Sequence, residues 1–127
     1  MITGSNGGPA SLPTTDADAL TRLERFGGRK LLDEMIALYL RSAPDRIFAA
    51  AAGLESGDAP AVENALHALK SSSAQLGAVR LSRLCEEGEA MARGGSLMAV
   101  AEVIDASREE LRLVETWLDR IRKERRA

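Results

Sequence analysis

Over most of the chain, apolar residues recur at the spacing of an amphipathic helix, and glycine-containing breaks divide this pattern into segments. The first segment covers about 16–26 and ends at Gly27-Gly28; the second covers about 29–42. Pro44 interrupts the second segment, and its continuation ends at Ser56-Gly57. Such a chain can bury its apolar residues only by packing helices against one another.

Three further helices are predicted after Ser56-Gly57. The third has Asp58 as its N-cap, Pro60 in its first turn and Gly77 as its stop. The fourth covers about 78–93, and the last keeps a near-heptad spacing over 97–121. Because short connections place neighbouring helices antiparallel, we predict an all-α fold: an up-down-up-down four-helix bundle with a short extra N-terminal helix.

Composition and length support a single domain with an aliphatic core. The chain has 127 residues, enough to bury one core, and only 3% of them are aromatic. Residues 1–15 are rich in Gly, Ser, Pro and Thr, and are expected to form a flexible tail or linker. The folded domain is therefore expected to cover 16–127.

Charge and cysteine content exclude several classes of protein. The net charge of -2, mixed along the chain, argues against nucleic-acid binding, and the basic residues near the C-terminus are interpreted as a solvated helix end. Cys85, the sole cysteine, cannot form an intrachain disulfide and is predicted to lie in the core. No apolar run reaches the ~18 residues of a membrane span, and no signal peptide is evident, so we expect a cytoplasmic protein without membrane contact.

The third helix carries the only histidine of the chain, His67. At ~100° per residue, the buried residues of this helix fall within an arc of about 100°, and His67 lies roughly 150° from its centre. The buried residues are Val62, Ala65, Leu66, Leu69, Ser73 and Leu76. His67 is therefore predicted to face solvent, beside Asn64, Lys70, Ser71 and Ala74, which lie on the same side of the helix.

This setting suits phosphoryl chemistry better than the alternatives. A neutral imidazole is a competent nucleophile near neutral pH, and Lys70 could offset the roughly two negative charges of a phosphoryl group. A metal site would need several converging ligands, so none is predicted. Ser71 is within reach of His67, but no oxyanion site accompanies the pair. The chain also lacks a glycine-rich loop that would hold the phosphates of ATP.

The sequence around this histidine reads ALHALKSSSAQLGAVRLSRLCEEGEAMAR. It resembles the signature of histidine-containing phosphotransfer (HPt) domains, His-x-Leu-Lys-Gly-Ser-Ser/Ala-x-x-Leu-Gly-Ala followed by Leu, Leu-Cys and Glu. The eleven matching positions span 23 residues, and the helical pattern extends the resemblance over about 16–125. The matches are His67, Leu69, Lys70, Ser72, Leu76, Gly77, Ala78, Leu81, Leu84, Cys85 and Glu89.

The resemblance implies a role for several of these residues. His67 would be the phosphoacceptor, Lys70 would stabilise the phosphoryl charge, and Glu89 would orient the imidazole. Donor and acceptor would be receiver domains of response regulators, with a hybrid histidine kinase as a further partner. Mg²⁺ would belong to the receiver, so the chain itself would need no cofactor. It would act as a monomeric phosphocarrier without ATP-dependent kinase activity. From their position beside His67 on the helix face, Asn64, Ser71 and Ala74 are expected to form the surface on which its partner docks.

Two positions depart from the family pattern. Ser71 stands where the family usually has glycine, so a docking receiver is expected to bind with an altered preference among partners. Gly88 stands where leucine is usual, and a glycine within a helix costs roughly 1 kcal/mol relative to alanine. A kink at Gly88 would move Glu89 away from the histidine.

Two other functions stay open at this point. One is a non-catalytic module that docks receivers without exchanging phosphate. The other is the dimerisation and phosphoacceptor fragment of a histidine kinase, although such fragments usually carry an acidic residue after the histidine, where this chain has Ala68. Ser72, Ser73, Met91 and Trp117 are interpreted as packing residues.

Overall fold

The structure is a computed structural model that describes residues 13–126, and four helices make up nearly all of that range. The helices are α1 (Ala17–Glu55), α2 (Ala59–Gln75), α3 (Val79–Arg93) and α4 (Leu97–Arg126). Consecutive helices pack together and α1 also packs on α4, so the bundle closes. No strand forms within residues 13–126, and the predicted all-α bundle is confirmed. Most of the predicted tail, residues 1–12, lies outside the described residues.

A break at Gly28 divides α1 into residues 17–27 and 29–55. Gly28 has φ 86° and ψ 174°, in the region that favours glycine, so the helix cannot continue through it. The short first segment is anchored at its start, where the Asp16 N–H donates to the Gly77 carbonyl at 2.8 Å. A Cβ on Gly77 would collide with the Asp16 carbonyl oxygen, so this contact also requires a glycine at the turn between α2 and α3.

The predicted interruption at Pro44 is wrong, because α1 continues through this residue to Glu55. Proline removes one hydrogen bond from a helix, and its ring crowds the preceding turn. Here Pro44 is exposed, while Ala43 and Ile47 on either side are fully buried in the core. Burial of the flanking residues therefore holds the helix together across the proline.

The core is aliphatic, as the composition predicts, and contains a buried polar contact. Tyr39 on α1 and Ser73 on α2 hydrogen-bond through their hydroxyl groups at 2.8 Å. Cys85 is fully buried, and burial raises the pKa of its thiol to about 12. The predicted core position of Cys85 and the predicted packing role of Trp117 are confirmed.

The C-terminal end of α4 differs from the solvated helix end that the sequence predicts. The Arg125 side chain is only 15% exposed. Its guanidinium contacts Glu24 at 3.0 Å and Asp33 at 3.1 Å, one on each side of the Gly28 break. Arg125 therefore joins α4 to both segments of α1, an arrangement that only the packing of distant segments can create.

None of the helices within residues 13–126 is both long enough and apolar enough to cross a bilayer.

Candidate functional site

His67 lies in the middle of α2 and points away from the core. Its side chain is 60% exposed, so the predicted solvent-facing position is confirmed. Local sequence explains the placement. The Asp58 carboxylate caps the start of α2 by accepting a hydrogen bond from the Ala61 N–H at 3.1 Å, and Val62, Leu66 and Leu69 fix its buried face.

The imidazole contacts a carboxylate on the neighbouring helix. Glu89 of α3 is only 8% exposed, and its Oε2 lies 2.9 Å from His67 Nδ1. Its other oxygen, Oε1, lies 2.8 Å from Lys70 Nζ. The two groups form an ion pair, but their relative orientation is not that of a hydrogen bond. His67 and Lys70 are one turn apart on α2, so the two side chains reach the two oxygens of one carboxylate. The structure thus brings together the three residues that the resemblance singles out.

The protonation of Glu89 determines which nitrogen of His67 carries the hydrogen. Burial by itself would raise the pKa of Glu89, but the contacts with Lys70 and His67 outweigh it, and the pKa lies below its ordinary value. The carboxyl is therefore ionised at neutral pH and can only accept hydrogen bonds. Nδ1–H must then be the donor, and a neutral ring in this state carries its lone pair on Nε2, the nitrogen available to a reaction partner.

The kink expected at Gly88 is absent, because α3 is continuous from Val79 to Arg93. A Cβ on Gly88 would lie 2.7 Å from Leu66 Cδ1 and 3.0 Å from Val103 Cγ1. The missing side chain therefore lets α3 approach both α2 and α4 closely. Leu66 and Val103 fill the space that a side chain on Gly88 would occupy. This close approach favours the contact between Glu89 and His67 instead of breaking it.

Two charged residues at the site were missed by sequence reasoning, Arg93 and Glu63. Arg93 Nη2 donates to Glu89 Oε2 at 3.1 Å, and Arg93 Nε donates to Glu63 Oε2 at 2.8 Å. Glu63 lies four residues before His67 on α2, and Arg93 lies four residues after Glu89 on α3. Because residues four apart are neighbours on a helix surface, this spacing could have suggested that each residue lies near the site. Their meeting depends on how the two helices are placed.

The surface around the imidazole is formed by small or polar side chains. Asn64, Ser71 and Ala74 are all exposed on the same side of α2 as His67. Beside Lys70, a shallow cleft of about 300 Å³ lies between α2 and α3. Ser82 of α3 donates to the Lys70 carbonyl at 3.2 Å and ties the two helices together there. The approach to His67 is therefore open.

No group of metal-ligating side chains accompanies this site. Within the part of the chain that the structure describes, His, Cys, Asp and Glu residues do not converge in threes as a metal ion would require. The Glu89 carboxylate instead contacts the side chains of His67, Lys70 and Arg93.

The chain is similar to known proteins in both sequence and fold. Residues 34–124 match the family model of the Hpt domain, a range that includes the whole site but begins after the Gly28 break. The fold is similar to the crystal structure of histidine-containing phosphotransfer protein B (HptB) from Pseudomonas aeruginosa PAO1, with a TM-score of 0.84 and 26% sequence identity. That similarity covers 90% of this chain and 98% of the other. No curated protein matches the chain.

Proposed function

The chain belongs to the Hpt domain family, a family of phosphotransfer proteins in two-component signalling, and from this we propose that it is a phosphorelay intermediate. In this proposal His67 accepts a phosphoryl group from an aspartate of one receiver domain and passes it to another receiver. One observation carries the assignment. The only histidine of the chain is exposed and hydrogen-bonds a buried, ionised carboxylate through Nδ1, which leaves Nε2 free to react.

The transfer step follows from this geometry. The Nε2 lone pair attacks the phosphorus of the aspartyl phosphate, the new N–P bond forms, and the bond between phosphorus and the aspartate oxygen breaks. The receiver recovers its carboxylate, while the proton on Nδ1 stays between His67 and Glu89. Onward transfer reverses the roles, because Nε2 then departs as the nitrogen of a neutral imidazole. Glu89 thus acts as a positioning residue that keeps the ring in one tautomer.

Lys70 supplies a positive charge on the same carboxylate that holds the imidazole of His67. An ammonium group has three N–H donors, and contact with Glu89 Oε1 occupies one side of it. The remaining donors can meet a phosphoryl group, which adds roughly two negative charges near neutral pH. Lys70 can therefore stabilise the phosphorylated ring while it continues to pair with Glu89.

The receiver would approach over the exposed side of α2. Asn64, Ser71 and Ala74 flank His67 there and leave space for a partner surface to reach Nε2. In this proposal Mg²⁺ is held by the receiver, this chain contributes no cofactor, and it acts as a phosphocarrier without ATP-dependent kinase activity. We further propose that it acts as a monomer in the cytoplasm, since one exposed imidazole is sufficient for exchange with receivers.

Phosphotransfer profiling tests this function. The protein and its His67→Gln variant are incubated with phosphorylated receiver domains from the source organism, and label on each partner is followed with time. Rapid, selective transfer that the variant lacks is expected. A folded wild-type protein that binds receivers but exchanges no phosphate would contradict the proposal and support a docking module. A stable dimer that is phosphorylated from ATP would support the kinase fragment.

A further inference from the structure

The site contains a second cation, Arg93, that takes no part in the proposed transfer step. Arg93 is 60% exposed, and its guanidinium bridges Glu89 on its own helix and Glu63 on α2. The Glu89 oxygen that accepts from Arg93 Nη2, at 3.1 Å, is the oxygen that contacts His67 Nδ1 at 2.9 Å. The guanidinium and the imidazole are therefore neighbours on one carboxylate oxygen.

The charges around the unphosphorylated ring are balanced. Two cations, Lys70 and Arg93, face two carboxylates, Glu63 and Glu89. Transfer of a phosphoryl group to Nε2 adds roughly two negative charges, so the balance is lost. A flexible cation near the ring would then be drawn to the phosphoryl oxygens, with which a guanidinium forms charge-assisted hydrogen bonds.

The burial of the two carboxylates decides which cation can move. Glu89 is almost fully buried, and a buried carboxylate that loses its cation is strongly destabilised. Lys70 is therefore held beside Glu89. Glu63 is 30% exposed, so water can replace Arg93 around it. Arg93 can consequently leave Glu63 at smaller cost than Lys70 can leave Glu89.

We propose that Arg93 is a second phosphoryl-binding residue, held by Glu63 in the unphosphorylated protein and transferred to the phosphoryl group on His67 after phosphorylation. The proposal rests on the proposed function of His67 as phosphoacceptor. In this proposal the two cations have different roles. Lys70 keeps the buried carboxylate paired, and Arg93 changes its partner with the phosphorylation state. Glu63 competes with the phosphoryl group for the guanidinium and so opposes phosphorylation.

Arginine side-chain NMR tests the change of partner without any receiver. The protein, prepared without a polyhistidine tag so that His67 is the only imidazole, is phosphorylated with phosphoramidate, from which ammonia departs as Nε2 takes the phosphoryl group. The Arg93 Nε–H signal is expected to shift on phosphorylation. Arg112, a similarly exposed arginine that pairs with Glu109 on α4, is the matched control, and its signal should not move. An Arg93 signal that stays in place while His67 is phosphorylated would overturn the proposal.

Two variants test the energetic consequence by effects of opposite sign. The equilibrium distribution of phosphate between a partner receiver and this protein is measured for Arg93→Gln and Glu63→Gln, with Arg93→Lys as the conservative variant and Arg112→Gln as the control. Arg93→Gln is expected to lower the ratio of phosphorylated protein to phosphorylated receiver by up to about fivefold. This is the change that the loss of one exposed charge pair can produce. Glu63→Gln is expected to raise it, Arg93→Lys to retain part of the effect, and Arg112→Gln to behave as wild type.

The two proposals fail in different ways. If Arg93→Gln and Glu63→Gln change the distribution in the same direction, or if neither changes it, the role of Arg93 is wrong while His67 remains the phosphoacceptor. If no receiver exchanges phosphate with the wild-type protein, the proposed relay function is wrong. The phosphoramidate experiment still decides whether Arg93 binds a phosphoryl group on His67.

Discussion

Two polar contacts of α2 have nearly the same length and opposite surroundings. Ser73 meets the Tyr39 hydroxyl at 2.8 Å inside the core, and His67 meets the Glu89 carboxylate at 2.9 Å at the edge of the bundle. In the first contact both groups are neutral and buried. In the second the acceptor is buried and ionised, while the ring is exposed. A hydrogen bond in the core fixes one arrangement of helices, whereas a bond at the boundary holds one side of a ring and leaves the other side free.

The strongest test of this difference removes the exposed partner. His67→Gln is expected to abolish phosphate uptake from receivers, because no other imidazole exists in the chain. Its melting temperature should remain close to that of the wild type, since the ring contributes little to the core. Phosphotransfer assays and thermal unfolding followed by circular dichroism measure the two effects. Phosphate label that persists on the variant would contradict the assignment of His67.

The reciprocal change is made in the core. Tyr39→Phe leaves the buried Ser73 hydroxyl without its partner, and is expected to lower the free energy of unfolding by about 1–3 kcal/mol. Phosphotransfer should continue, because the Tyr39–Ser73 contact does not touch His67. Urea unfolding and a transfer assay below the melting temperature check both statements. A folded Tyr39→Phe protein that has lost transfer would show that the two contacts are coupled.

Gly88→Ala should affect both regions at once. The added Cβ would crowd Leu66 and Val103, at a cost of about 1–3 kcal/mol for overpacking, part of which is offset by the ~1 kcal/mol advantage of alanine in a helix. We expect a net destabilisation of about 1 kcal/mol and slower transfer, because α3 must move away from α2 and carry Glu89 with it. Ala90→Gly, at an exposed position two residues away, is the control for helix propensity alone. Unchanged transfer in Gly88→Ala would show that Glu89 tolerates this movement.

The smallest expected effect is the pH dependence of stability at Glu89. Its pKa is lowered in the folded protein, so its contribution is fully present above the pKa of the unfolded chain and is lost as the pH falls through the folded value. The difference in unfolding free energy between wild type and Glu89→Gln should therefore be largest near neutral pH and shrink below about pH 4, the ordinary range of a glutamate. Urea unfolding at several pH values measures it. A difference that is constant with pH would show that the charge of Glu89 does not stabilise the fold.

Sequence patterns predict features that depend on neighbours along the chain. The capping by Asp58, the stop at Gly77 and the outward position of His67 follow from local preferences and the helical repeat, and the structure contains all three. The prediction at Pro44 failed because a local rule was overcome by burial on both sides of the proline. The effect of Ser71 on partner preference stays a prediction, because it concerns a surface that contacts another molecule.

The sequence by itself determined the helical fold class, the family and the identity of the exposed histidine. Only the tertiary structure decided that Glu89 receives His67 and Lys70 together, that Arg93 meets Glu63, and that Arg125 pairs with two carboxylates. The physical reason is that such contacts depend on the rotation and offset of one helix relative to another. Core packing sets these quantities, as at Gly88, where a missing side chain brings α3 close to α2. The periodicity of a single helix contains no information about them.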